Sequence, residues 1–547
     1  MRRRLLVIGL DGVGFDLITP WVESGKLPHI RRLLSQGTRG SLRSTIPPLT
    51  GPAWASFQTG VNPGKHGIFG WTKGRPGSYA ISVISGDDLT CPTILELASE
   101  SGRQVVSIGL PMTYPPRPVN GVIIPGMLTP RHDCTPTYPP QVYHELLQAA
   151  PDYRFFPECA HRVSLQAKVQ ELLACARAKA AAGVHFMTHR DWDLFLVHFQ
   201  VTDKVQHDLW GITEDEIDPL LLVFQEVDQL VGHLVEIGRQ MGATVIVLSD
   251  HGMGPQEYTF SINTWLWQAG YLKPKGGVVG RLKRGLFHLG LTQRRLLRLG
   301  FFLYPLAYRM GLANSFMDII GQARLARMIS SLFLSLNDID WSKTRVYSRA
   351  DIGHLCLNIK GREPQGIVSE EEADRLIEEL IDRLKAVRNP TTGEPLLGEV
   401  FRREDIYHGE KLAQAPDILF LPRDLRTIAT GASGFYSKAL FDRPQLRANH
   451  RMNGIIVGFG EPFKEDHSIQ KASLIDLPTN LLYLLDCPIL SYMDGRLWEE
   501  AFLPGTLATQ SPRWSERPPA RRKPETSLAE KDDLELVRRL KGLGYLS

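Results

Sequence analysis

The chain reads as an α/β protein: a doubly wound, mostly parallel sheet with helices on both faces, plus a helical insertion. Two observations predict this. Short continuous apolar runs recur at Leu5–Leu10, Val105–Gly109, Leu194–Phe199, Thr244–Leu248 and Ile455–Gly458, as expected for parallel strands buried on both faces. Between them, apolar residues repeat at i, i+3 and i+4 over Ser164–Ala181, Leu220–Met241 and Glu370–Val387. Strand alternating with helix is the pattern of helices packed over a parallel sheet.

The elements follow in chain order. Met1–Leu10 faintly mimics a secretory signal, but its apolar stretch is short and is cut at once by Asp11-Gly12, so it reads as a first buried strand. Residues 1–269 and 331–503 are assigned to one discontinuous core. Residues 270–330 differ in kind, with eleven Lys/Arg against the single acid Asp318, and Leu, Phe and Tyr at helical spacing. This stretch reads as an inserted basic helical cap, or, within 275–330, as a peripheral membrane or anion-binding patch. From Pro504 to Lys531 the composition turns to Pro, Arg, Ser and Glu, as in a flexible tail. A short amphipathic helix over Leu534–Leu543 ends the 504–547 tail, free to dock on the core or on a partner.

Composition narrows the classes. A net charge of +4 over 547 residues is too small to argue for a nucleic-acid partner. No Walker A, Cys-x-x-Cys or Gly-x-Gly-x-x-Gly motif is present, and no run of 18 apolar residues spans a membrane. Six scattered cysteines form no compact disulfide framework and favour reduced thiols and a cytoplasmic location.

Side chains of metal-ligand type cluster where apolar runs end. Asp11 lies in IGLDGVG, Asp203 and His207 in VTDKVQHDLW, Asp250 and His251 in VLSDHGMG, and His450 in ANHRMNG. In open α/β sheets, ligands collect beyond the carboxyl ends of the strands, and four of these six follow such a run. Asp203 and His207, at i and i+4, share one face of a helical turn, and carboxylate with imidazole is a good zinc donor set. A capping Asp beside an unrelated His is the alternative. Asp250-His251 alone is a loop feature as readily as a site, although Gly252 and Gly254 allow a sharp turn beside a ligand. His450 has the weakest local case. His198, inside an apolar run, reads as a core histidine, and His29, His66 and His132 as structural or as supports behind the ligands. Thr50, in PPLTGPAWASFQTG, stands at a helix start. It is either a cap or, with divalent cations nearby, an attacking hydroxyl whose helix N-terminus favours phosphate.

The order Asp, Thr, Asp-x-x-x-His, Asp-His, His resembles the alkaline phosphatase superfamily, in its type I phosphodiesterase/nucleotide pyrophosphatase branch. The segment Thr50-Gly-Pro-Ala-Trp-Ala-Ser-Phe-Gln-Thr-Gly through His66-Gly-Ile looks like that branch's nucleophile segment. The likeness covers about residues 4–265 and 345–490 and implies an alkaline phosphatase-like fold. It also implies two divalent metal ions, usually zinc, with manganese as the alternative. Asp203, His207 and His450 would hold one ion. Asp11, Asp250, His251 and Thr50 would hold the other. Thr50 would attack phosphorus, giving a phosphothreonine that water then hydrolyses.

The implied activity is hydrolysis of a phosphodiester or phosphoanhydride in a small phosphate ester. A phosphomonoesterase, phosphonate hydrolase, phospho-headgroup transferase or non-catalytic anion binder would be compatible with much of the same pattern. Trp71 stands where characterised relatives have a phosphate-contacting Asn, and is the candidate substrate-binding position.

Overall fold

Strand Arg4–Leu10 shows how the sheet is buried on both faces. Leu6, Ile8 and Leu10 enter one apolar cluster, covered by helices Pro28–Gln36, Leu165–His189 and Pro219–Gln240. Leu5 and Val7 enter the opposite cluster, covered by Thr50–Thr59, Ile94–Glu100 and Asp476–Leu484. The period-2 alternation of a strand sends successive side chains to opposite faces, so a continuous apolar run needs helices on both. The computed structural model describes residues 3–75, 77–131, 133, 135–157, 164–214, 217–292, 295, 331–349, 353–423, 425–431, 434–435, 437–444, 446–517, 535–537 and 540.

The central sheet has the spatial order His467–Ser468, Thr38–Arg43, Asn453–Phe459, Ala243–Leu248, Arg4–Leu10, Leu194–Phe199, Val105–Ile108, Gly121–Ile124. A further short strand, Ala472–Ser473, also pairs with Thr38–Arg43. All five expected strands lie in this sheet, in the expected doubly wound and mostly parallel arrangement. Asn453–Phe459 departs from the parallel expectation, because it runs antiparallel to both neighbours. The reason is topological: the chain leaves the carboxyl end of Ala243–Leu248, builds a smaller unit, and re-enters the sheet from that same end.

The smaller unit has its own apolar core. Val346–Tyr347, His354–Leu357, Ile418–Pro422 and Leu397–Arg402 form an antiparallel sheet. Helix Glu370–Lys385 covers it with Leu376, Leu380 and Leu384, and starts at a reciprocal Ser369/Glu372 capping box. Of the basic stretch 270–330, helix Gly277–His288 is described; it docks through Phe287 and exposes Val278, Val279 and Leu282. Positions 293–294 and 296–330, with most of the expected cap, lie outside the described residues.

Residues 504–517, read from composition as part of a flexible tail, run along the core. Trp514–Ser515 pairs with Ile489–Leu490, and Gln510 accepts a hydrogen bond from Tyr483 on its backbone carbonyl. Cys91, Cys175, Cys356 and Cys487 are free thiols, and Cys134 and Cys159 lie outside the described residues. No described helix is long and apolar enough to cross a membrane.

Gly9 marks the tightest packing near the carboxyl end of the first strand. A Cβ there would stand 2.7 Å from the Trp54 ring and 3.0 Å from that of His198. Gly9→Ala is expected to destabilise the fold by about 1–3 kcal/mol through overpacking, read as a lower denaturant midpoint at unchanged slope.

Candidate metal centre

Sheet register places the expected ligands at one edge. Leu10 pairs with Phe199 and Gly9 with Leu248, so Asp11, Asp203 and Asp250 all follow strands that end together. His450 arrives because Asn453–Phe459 is antiparallel and begins at that edge. It lies on the two-stranded ribbon Ala448–Arg451 with Gly252–Pro255, opposite Met253. Asp203 and His207 are one turn apart on helix Val201–Leu209. Thr50 is the first residue of Thr50–Thr59, reached from strand Thr38–Arg43.

The loops are tied to one another. Thr202 Oγ1 donates to the Asp11 carbonyl at 2.6 Å, and Gln206 Nε2 to the Gly12 carbonyl at 2.8 Å. Ser249 Oγ accepts from Val13 N at 2.7 Å and donates to the His251 carbonyl at 2.8 Å.

Within this frame, Asp203, His207 and His450 form one group of candidate ligand atoms, and Asp11, Asp203 and His251 a second. Asp203 Oδ1 lies 3.4 Å from Nε2 of both His207 and His450, and those two nitrogens are 3.1 Å apart. His251 Nε2 lies 3.5 Å from Asp11 Oδ1, 3.3 Å from Asp250 Oδ2 and 3.2 Å from Thr50 Oγ1. All seven side chains are buried.

The tautomers suit cation binding. Nδ1 of His207 faces the Ala448 carbonyl at 2.8 Å, that of His450 the Pro48 carbonyl at 2.8 Å, and that of His251 the Gly252 carbonyl at 3.0 Å. A carbonyl accepts only, so each Nδ1 carries a proton and each Nε2 is the nitrogen that faces the carboxylates.

Electrostatics point the same way. Burial and the neighbouring Asp250 and Asp203 carboxylates raise Asp11 well above the usual range. Asp250 is likewise raised by burial and by Asp203. Burial pushes Asp203 up too, but His207 and His450 outweigh it and hold it well below the ordinary value. Burial lowers His450, and lowers His251 further with His450 adding to it. Asp11 Oδ1 and Asp250 Oδ2 are buried without a hydrogen-bond partner. Carboxylates so placed fit divalent cations held by mixed oxygen and nitrogen donors.

His198, read from the sequence as a core histidine, is buried but does more than fill the core. Its Nε2 lies 3.1 Å from Asp11 Oδ2 and its Nδ1 3.1 Å from the Gly109 carbonyl, with the ring edge-on to Trp54. Its alternation within an apolar strand gave no sign of this, because the contact crosses to the adjacent strand. His66 is structural: its Nε2 meets Ser56 Oγ at 2.9 Å and its Nδ1 accepts from Ile68 N. His29 contacts Gln229, away from the centre, and His132 lies outside the described residues. Trp71 is buried, its ring 3.5 Å from where a Cβ on Gly51 would stand, and so borders the Thr50 segment.

The family model for type I phosphodiesterase/nucleotide pyrophosphatase matches residues 5–435. The chain belongs to this family. It is therefore a hydrolase of the phosphodiesterase/nucleotide pyrophosphatase type. The family is metal-dependent, and the two side-chain groups are its candidate metal positions here. The matched span takes in every expected ligand except His450.

Among solved structures, phosphonoacetate hydrolase from Sinorhizobium meliloti in complex with phosphonoformate is similar at 14% identity and TM-score 0.51, over 89% of this chain and 96% of that one. Human ectonucleotide pyrophosphatase/phosphodiesterase 5 is similar at 14% identity and TM-score 0.47, over 91% and 98%. The hydrolase shares the fold. No curated protein matched the sequence.

His198 is expected to orient Asp11. His198→Ala should weaken binding of one divalent ion about 10–100-fold while leaving the fold intact. Metal titration followed by elemental analysis, beside a circular dichroism melt, checks this; undiminished affinity would remove His198 from the centre.

Proposed function

We propose that this enzyme cleaves phosphodiester or phosphoanhydride bonds through a covalent phosphothreonine at Thr50. The observation that carries this reading is the Thr50 hydroxyl, buried at the start of a helix and 3.2 Å from Nε2 of His251, a member of the group of ligand atoms it forms with Asp11 and Asp203. Asp203, His207 and His450 would hold one divalent ion, and Asp11, Asp250 and His251, with Thr50, the other. Zinc suits this mixed donor set, with manganese the alternative. Bound ions would lower the pKa of the threonine hydroxyl and offset the negative charge of the phosphate oxygens.

The chain's own residues account for the rest. The Nδ1–H of His251 donates to the Gly252 carbonyl and fixes the ring with Nε2 3.2 Å from Thr50 Oγ1; with that lone pair on the ion, the hydroxyl proton would pass to solvent. Thr50 Oγ1 forms a bond to phosphorus as the ester or anhydride oxygen leaves from the opposite side with the electron pair. Water then breaks the threonine–phosphate bond and restores the hydroxyl. Two in-line displacements return the original configuration at phosphorus. Helix Thr50–Thr59 has no side-chain cap at its N-terminus, and Pro52 brings no N–H. The positive end of the helix would favour the negatively charged phosphate oxygens at Thr50.

Trp71 stands at the candidate substrate-binding position. Where an amide side chain would offer a polar contact, it presents a ring packed among apolar side chains. This argues for shape selection of the organic group over an added hydrogen bond to phosphate.

Thr50→Ala is expected to lower turnover of bis(p-nitrophenyl) phosphate by about a thousandfold or more, with metal content retained. Thr50→Ser should keep part of the activity, since it keeps the hydroxyl. Comparable rates for Thr50→Ala and the wild type would exclude the covalent route. Chelation of the wild type should abolish turnover, and zinc or manganese should restore it. The same assay with aryl monophosphate, dinucleotide and phosphonoacetate separates the diesterase reading from monoesterase and phosphonate hydrolysis.

A further inference from the structure

Apolar exposure on this chain gathers in one place. Of the eleven large apolar side chains exposed among the described residues, five lie between positions 278 and 291. The four most exposed of all are Val278 at 77%, Leu289 at 75%, Val279 at 66% and Leu282 at 61%. Apolar residues scattered singly over a surface are ordinary, whereas a contiguous group marks a surface that meets something.

Helical geometry makes the group contiguous. Helix Gly277–His288 turns by about 100° per residue, so Val278 and Leu282 lie within about 40° of each other. Leu289, the residue that ends the helix, continues their line, and Val279 widens the arc to about 100°. Gly280 and Phe287 fall on the opposite side and are buried. There the Phe287 ring meets Trp267 at 5.5 Å and Phe435 at 6.0 Å between centroids. Lys283 Nζ donates to Asp338 Oδ1 at 2.7 Å, and Lys438 Nζ to the His288 carbonyl at 2.6 Å. The helix is thus docked by one face and turns a second apolar face to solvent.

The charge around this arc has one sign. No Asp or Glu occurs from Tyr258 to Met317. Lys273, Lys275 and Arg281 are exposed, and Arg284 is half-buried. Arg281, one turn beyond Val278, borders the arc, where its stem can lie along apolar surface while its head reaches an anion. Aliphatic side chains edged by cations suit an anionic lipid surface: the arc enters the acyl boundary and the cations meet lipid phosphates. The 12 residues of the helix are fewer than the roughly 20 that cross a bilayer, so it would lie on the surface. A second copy of the chain would set the same cations against one another, and a nucleic acid would leave the aliphatic arc in water.

We propose that helix Gly277–His288 seats this enzyme on anionic lipid surfaces, with Val278, Leu282 and Leu289 inserted and Arg281 beside the lipid phosphates. The helix docks on the smaller unit and supplies none of the candidate metal ligands, so lipid binding is separable from the chemistry at Thr50.

The full-length protein is floated with vesicles of mixed phosphatidylglycerol and phosphatidylcholine, and with vesicles of phosphatidylcholine alone. It should bind the anionic vesicles about tenfold more tightly or better, and less tightly as salt rises. Leu282→Ser/Leu289→Ser should lose about tenfold in affinity for the anionic vesicles and hydrolyse bis(p-nitrophenyl) phosphate at the wild-type rate without them. A wild-type chain that does not float with anionic vesicles, or a variant that binds them equally well, overturns the proposal. So does a lipid-free dimer that the same substitutions disperse, which would make the arc a contact between copies. Leu282→Trp keeps the position apolar and gives a second reading in case the serine variant does not fold. Its added fluorescence should be quenched by vesicles of brominated phosphatidylglycerol; fluorescence indifferent to the bromine overturns the insertion of this face.

Discussion

The burial of three carboxylates at one sheet edge is the constraint on which the rest of the site turns. Asp11, Asp203 and Asp250 are all 0% exposed, and the ligand atoms of Asp11 and Asp203 lie within 4.8 Å of each other. Two like charges at that distance repel by about 3–4 kcal/mol even at an effective dielectric near 20. Without cations, protons relieve the strain, and the raised Asp11 and Asp250 express this. With divalent ions, the same carboxylates become an asset. The imidazoles are arranged to match: each is oriented by a backbone carbonyl at Nδ1 so that Nε2 faces the carboxylates. The carbonyls that do so come from Pro48, Gly252 and Ala448, so the local backbone is part of the electrostatic design.

Much of this was legible because it is local. Each parallel strand announces itself as an apolar run, and a charged residue just past such a run stands at the edge where ligands collect. Asp203 and His207 are legible together because helical periodicity alone puts them on one face. His450 is a different case. Its position depends on an antiparallel strand inserted between Thr38–Arg43 and Ala243–Leu248, pairings that join residues about two hundred and about four hundred positions apart and leave no local trace. His198 shows the same limit. Alternation places it inside the core, and only the register of Gly9 against His198 brings it to Asp11. The smaller unit was harder still, since its short antiparallel strands lack long apolar runs and gain meaning only when Glu370–Lys385 covers them.

That smaller unit also braces the nucleophile segment. Tyr407 donates its hydroxyl hydrogen to the Ile46 carbonyl, and its ring meets Phe69 at 5.4 Å between centroids. The His408 amide donates to Asn62 Oδ1 at 3.2 Å, and the Lys411 amide to the Gly64 carbonyl at 2.8 Å. From the core, Asp494 accepts from the Asn62 amide at 2.8 Å and pairs with Lys65. Thr50 lies between Ile46 and Asn62, so both flanks of the helix it begins are pinned. Misplacing a reacting atom by about 1 Å can cost a hundredfold in rate, which gives such distant anchors chemical weight. The long excursion between residues 252 and 451 thus does two jobs by one path. It returns the chain to the sheet in the direction that delivers His450, and on the way it clamps the loop that delivers Thr50.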